Sequence, residues 1–259
     1  MEIFFMNAAN MEQLVTELKD EIYNKLHHRT LLAYTGQPPI WDDQLFYLLL
    51  PRVNGEQWTK QHQVAAQSVA MIQTALTTHD LVKEQQATSK AQQLMVLAGD
   101  YYSGMYYDTL AKLPDIQFVQ KLSNAVAEIS EQKTAFYEPE ECTLEELLLR
   151  YETIVSRAVE QFMGHFGFTV YIELMKKGML LSRLSAELKK VINDTSTIRL
   201  FRVISERFSS KDEAIRVIQQ EITTRATKLT EEIHTMEFLT NVAKTAVLSR
   251  IEALNHSAT

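Results

Sequence analysis

Residues 73–107 read QTALTTHDLVKEQQATSKAQQLMVLAGDYYSGMYY, and the fold turns on how this stretch divides. Just upstream and into it, Val69, Ile72, Leu76 and His79 recur at helical spacing on one stripe. That spacing predicts a helix from about Glu56 to about Glu84, with Asp80 and Glu84 at i and i+4 on an adjoining face. Two carboxylates so placed could hold a hard cation, but two acids alone make a poor Mg²⁺ site. That ion wants near-octahedral oxygen and borrows substrate phosphates, so an ordinary surface pair is the plainer reading. After the polar break at 85–90, Leu94, Leu97, Tyr101 and Met105 predict a second helix from about Ala91 to Leu113. Gly99 and Gly104 inside it each cost about 1 kcal/mol relative to alanine, which asks for close approach of another helix. Asp100 stands beside Tyr101 and Tyr102, with Met105, Tyr106 and Tyr107 about a turn further on. Tyrosines at that density line an apolar cavity, form an interface, or simply pack the core.

The same period runs outward in both directions. Leu14, Leu18, Ile22 and Leu26 mark an early helix, and after Pro139 the chain has no further proline and only Gly164, Gly167 and Gly178. Periodic segments there cover Leu144 to Gly164, Val170 to Leu188, Thr197 to Phe208 and Ala214 to Ala253, and strand-like alternation is nowhere sustained. Each of the five prolines, 38, 39, 51, 114 and 139, is expected at a break in a helical pattern. Gly36 with Pro38 and Pro39 ends the first long helix, and Asn54-Gly55 turns the chain into the next. Thr143-Leu-Glu-Glu146 is a capping box, and Ser210-Lys-Asp-Glu213 offers a second. The expected fold class is all-α: a single helical domain over 1–259, a bundle of roughly eight to ten helices.

Composition narrows the function classes. The chain has 259 residues, a net charge of −7 and one cysteine, Cys142. No dense basic stripe interleaved with aromatics occurs, so nucleic acid is not an expected partner. Lys176-Lys177 reads as a solvated helix face rather than a headgroup contact. The longest apolar run, residues 45–50, is far short of the roughly 20 residues that cross a bilayer, and 1–10 lacks the pattern of a secretory signal. A soluble, cytoplasmic protein is expected, not an integral membrane protein.

Other chemistry-bearing residues read as structural. Glu231-Glu-Ile-His234 supplies one Glu-x-x-His element, and a di-iron bundle needs two. His27-His28 falls near the end of the first helix, where imidazoles cap carbonyls or meet the dipole. His165, between Gly164 and Gly167, reads as a helix-end residue. Cys142 has acidic neighbours Glu140 and Glu141, which raise a thiol pKa and disfavour a nucleophile.

Taken together, His79-Asp80, the short loop and Val96-Leu97-Ala98-Gly99-Asp100 resemble the trans-isoprenyl diphosphate synthases. In that family a helix ending in His-Asp-Asp-x-x-Asp precedes Leu-x-Gly-Asp on the next. Residues 73–80 and 93–107 are more similar still to one branch, the small non-catalytic subunits (component 1) of heterodimeric heptaprenyl diphosphate synthases. The resemblance implies the isoprenoid synthase fold, with a degenerate core at about 56–137. The departures weigh more than the agreements. Leu81 stands where the second aspartate belongs and Glu84 where the last does. Gln85–Lys90 replaces the Arg-Arg-Gly segment, and no aspartate pair follows Asp42-Asp43. Such a chain lacks the means to hold diphosphate through Mg²⁺ and to stabilise the leaving group.

The resemblance therefore implies a regulatory and structural subunit with no catalytic residues and no metal of its own. Its implied partner is a catalytic subunit, component 2, which carries the Mg²⁺. The complex would extend farnesyl diphosphate with isopentenyl diphosphate for the menaquinone side chain. His79, Gly99, Asp100, Tyr101, Tyr102, Gly104, Met105 and Tyr106 are the candidate interface or tunnel-wall residues, where a growing prenyl tail would be met. Two alternatives stand beside this: a free-standing helical isoprenoid- or lipid-binding protein, and an independent Mg²⁺-dependent enzyme using Asp80, Glu84 and Asp100.

Overall fold

The computed structural model describes residues 8–83, 89–135, 142–193, 203–204 and 208–256. Among them are ten α-helices and no strand, as the periodicity predicts: α1 Ala8–Leu26, α2 Arg29–Thr35, α3 Asp42–Val53, α4 Lys60–Asp80, α5 Lys90–Leu110, α6 Ile116–Ala135, α7 Leu144–His165, α8 Ile172–Ile192, α9 Lys211–Thr235 and α10 Asn241–His256. No described helix is long and apolar enough to cross a membrane. The buried apolar side chains form one continuous cluster drawn from all ten helices.

Several boundaries differ from the sequence reading, each for a local reason. The first helical stretch is two helices, because His28 adopts an extended backbone and its Nδ1 accepts the Leu31 amide. His28 thus caps a helix start rather than an end, and Gly36, at φ +75°, closes α2. Pro51 does not mark a break; it stands inside the last turn of α3, where its missing N–H removes one bond from a helix that ends at Val53. The next helix starts at Lys60 instead of Glu56, since Thr59 and His62 form a capping box, Thr59 Oγ1 accepting the His62 amide and His62 Nδ1 accepting the Thr59 amide. The segment Ala214 to Ala253 is divided between α9 and α10 at residues 236–240. Asn54 holds that break: its Nδ2 donates to the Phe238 carbonyl and its Oδ1 accepts the Thr240 amide. Thr143–Glu146 and Ser210–Glu213 do cap α7 and α9. Pro139, and most of the helix expected over Thr197 to Phe208, lie outside the described residues.

Short connections make consecutive long helices antiparallel. The starts of α3, α5 and α7 therefore gather at one pole with the ends of α4, α6 and α8. The Lys133–Asp80 ion pair ties the end of α6 to the end of α4 there.

Candidate functional site

The residues of the 73–107 stretch meet at this pole. α4 stops at Asp80, and Leu81 follows as a half-exposed turn residue. The helix expected to run to about Glu84 thus ends at Asp80, and Glu84 itself lies outside the described residues. Asp80 is engaged by a cation from its own chain. Lys133 Nζ donates to Asp80 Oδ2 at 2.6 Å and to the Leu76 carbonyl at 3.2 Å, so one ammonium bridges a carboxylate and a backbone carbonyl at the end of α4. Among the described residues no three His, Cys, Asp or Glu side chains are grouped so as to hold a metal ion. A lone aspartate neutralised by an ammonium does not fit a Mg²⁺ site.

On α5 the buried side is rotated from the stripe at 94, 97, 101 and 105. Ala98, Gly99, Tyr102, Tyr106, Thr109 and Leu110 are buried, while Leu97 is 55 % exposed. The two glycines part company. A Cβ on Gly99 would meet the His79 ring at 2.5 Å, so this glycine lets the imidazole lie flat across α5, with Nε2 3.6 Å from Asp100 Oδ1. The close approach expected of Gly99 is thus made by a side chain. Gly104 is exposed and a Cβ there would meet nothing within 4 Å, so the approach expected at that position is not made by the described residues. Tyr102 is buried and borders a cavity of about 150 Å³ with His27, His28 and Pro38. Tyr101 packs edge-on against His28. Tyr106 is buried beside half-exposed Tyr107, its ring stacked 4.2 Å away, and burial drives the Tyr106 pKa well above the usual phenol range. Met105 is half-buried against the core.

A second polar cluster at the same pole carries no signature in the sequence. Arg183 of α8 lies with its guanidinium 3.9 Å over Trp41. Its nitrogens stand 3.8 Å from Asp43 Oδ1 and 3.3 Å from Glu187 Oε1, and it shares a hydrogen bond with Tyr151. Arg183 and these three polar partners are all buried. Burial opposes charge on Arg183, yet Asp43, Tyr151 and Glu187 hold its pKa above the ordinary guanidinium value. Glu187 is pushed the other way, its pKa raised by desolvation despite Lys190 and Arg183. Asp43, Ser182 and Arg183 each keep a buried polar atom without a partner among the described residues and line a groove of about 400 Å³ with Arg250 and Leu254. Only the spacing Ser182-Arg183…Glu187 at i+4 hints at the ion pair, and partners on α3 and α7 cannot be read from it.

The remaining candidates are structural. Lys176 and Lys177 pair with Glu152 and Glu232, and His165 ends α7 with Nε2 2.8 Å from Asp115.

Residues 28–235 match the family model described as heptaprenyl diphosphate synthase (HEPPP synthase) subunit 1. A protein from Geobacillus stearothermophilus named heptaprenyl diphosphate synthase component 1 is 30 % identical over 131 residues, 51 % of this chain and 60 % of that protein. Among solved structures, a geranylgeranyl pyrophosphate synthase from Lactobacillus brevis superposes with a TM-score of 0.70 at 14 % identity, covering 96 % of this chain and 97 % of the other. A heptaprenyl diphosphate synthase from Staphylococcus aureus gives 0.64 at 14 % identity, covering 96 % and 99 %. At these identities the superpositions establish the fold, which is the all-α fold of isoprenyl diphosphate synthases.

Proposed function

Because the chain belongs to the family of heptaprenyl diphosphate synthase subunit 1, we propose that it is the non-catalytic, regulatory and structural subunit of a heterodimeric prenyltransferase. Its partner is a catalytic subunit, component 2, which alone carries Mg²⁺. In the cytoplasm the complex extends farnesyl diphosphate with isopentenyl diphosphate to the heptaprenyl chain used for menaquinone. This chain contributes the α4–α5 helix pair, with His79, Gly99, Asp100, Tyr101, Tyr102, Gly104, Met105 and Tyr106 forming interface or tunnel wall. The observation that carries the reading is the ammonium of Lys133 on Asp80. The carboxylate that would coordinate a divalent ion is used instead to tie two helices together, in a fold otherwise shared with synthases. A chain built so holds its scaffold without metal and leaves ionisation of the allylic diphosphate to another chain.

The test is reconstitution. The purified chain is mixed with the separately purified catalytic subunit, farnesyl diphosphate, isopentenyl diphosphate and Mg²⁺, and products are resolved by length. Turnover is expected only from the mixture. Product from this chain alone overturns the non-catalytic reading, and full-length product from the catalytic subunit alone overturns the subunit reading.

A further inference from the structure

α4 begins on an imidazole. Thr59 Oγ1 accepts the His62 amide at 3.4 Å, and in return His62 Nδ1 accepts the Thr59 amide at 2.9 Å. In the usual form of this box a glutamate or glutamine stands at the third position and still accepts in mild acid. An imidazole nitrogen accepts only while it carries no proton. Protonation turns Nδ1 into a donor facing a donor, and it sets a positive charge on the positive end of the helix dipole. The ring gains nothing in exchange, because it lies among Trp58, Phe166 and Phe168, with centroids 5.5, 4.7 and 5.4 Å away. Its burial holds the pKa below the ordinary imidazole value.

The charged groups around this turn are committed elsewhere. Lys60, on the turn itself, adds a like charge. Glu21 of α1 accepts from Gln63 and Gln67, and Glu56 accepts from the Tyr171 hydroxyl. Asp115, just before α6, accepts from Gln61 and meets His165 of α7. Among the described residues the His62 ring nitrogens meet only Thr59. His165 answers acid in the opposite sense. Although burial opposes it, the Phe118 amide and His165 hold the Asp115 carboxyl below the usual carboxylate range. An imidazolium at 165 therefore meets an anion 2.8 Å away, and the pair strengthens. The first turn of α4 is thus gripped on two sides that respond oppositely to a proton. We propose that the Thr59–His62 box is an acid-released latch, independent of any partner subunit. One proton on His62 frees the chain at Thr59 from the helix start, while Gln61 on Asp115 and Gln63 on Glu21 keep the turn seated, so the opening stays local. The folded chain binds this proton less readily than the unfolded one. The latch's contribution to stability is therefore complete above the ordinary imidazole value of 6.5 and is lost as pH falls through the lowered folded value.

The full-length chain is compared with His62→Gln, which keeps an acceptor at the third position and takes up no proton, and with His62→Ala, which has no acceptor at any pH. Protection of the Thr59 amide, read by NMR hydrogen exchange, should match His62→Gln at about pH 7.5 and fall roughly fivefold, to the level of His62→Ala, by about pH 5.5. Ring-nitrogen shifts should show His62 taking up its proton over the same interval. An equally deep loss in His62→Gln overturns the latch, as does a His62 ring that stays neutral while Thr59 opens. Equal quickening along the whole of α4 means global unfolding and overturns the local device. His165→Gln should leave the Thr59 response in place; its disappearance there assigns the response to the Asp115 pair and overturns the role of His62.

Discussion

Gly178 and Gly99 look alike in the sequence and differ by what presses on them. A Cβ at Gly178 would lie 1.8 Å from the Tyr47 hydroxyl, and Tyr47 is fully buried, so neither α3 nor the ring can retreat. Gly178→Ala should cost about 3 kcal/mol of unfolding free energy by overpacking, read as a lower urea midpoint. A loss within experimental error would mean that Tyr47 has room to move. The Gly99 contact falls on the imidazole of His79, whose side chain is 38 % exposed and can swing aside. Burial around Tyr47 raises its pKa strongly, and its hydroxyl has no partner among the described residues. Sequence spacing could place these glycines on helices; which ring crosses each one depends on helices remote in the chain.

At the scale of elements, the caps were the most legible features. Thr143 Oγ1 accepts the Glu146 amide at 3.2 Å, and Glu146 Oε2 accepts the Thr143 amide at 2.6 Å, as the four-residue pattern predicts. Thr143→Ala should destabilise the chain by about 1 kcal/mol. Amide exchange should quicken in the first turn of α7 while the last turn stays protected; uniform change along the helix would sink the local account. Where the cap was unfamiliar, the boundary slipped: a histidine at the third position completes the Thr59 box, and His28 caps α2 through a ring nitrogen. The face of α5 was misread by one residue because Leu97 and Leu94 keep helical spacing while Ala98 and Gly99 form the contact with α4. Small residues pack as well as large ones when backbones come close, and a hydrophobicity pattern undercounts them.

For the molecule as a whole, the buried Arg183 cluster joins α3, α7 and α8 at the pole that α4 and α6 also reach. Desolvation raises the Glu187 pKa, so the folded chain holds that proton more tightly than the unfolded one. Stability from this group is complete below the ordinary glutamate value and is lost as pH rises through the raised folded value. Glu187→Gln removes the titration, so the variant should gain on the wild type across that window when urea midpoints are compared pH by pH. A constant difference would mean that Glu187 ionises as easily folded as unfolded.

The sequence by itself determined the all-α class, most helix positions, the principal caps and the degeneracy of the aspartate motif, because these rest on residue type and on spacing within a few turns. Tertiary structure decided what replaced the missing chemistry. Lys133 reaches Asp80 from another helix, and Arg183 gathers Asp43, Tyr151 and Glu187 from three. Such pairings depend on which helices become neighbours in space, and one-dimensional periodicity fixes a helix's faces without fixing its neighbours.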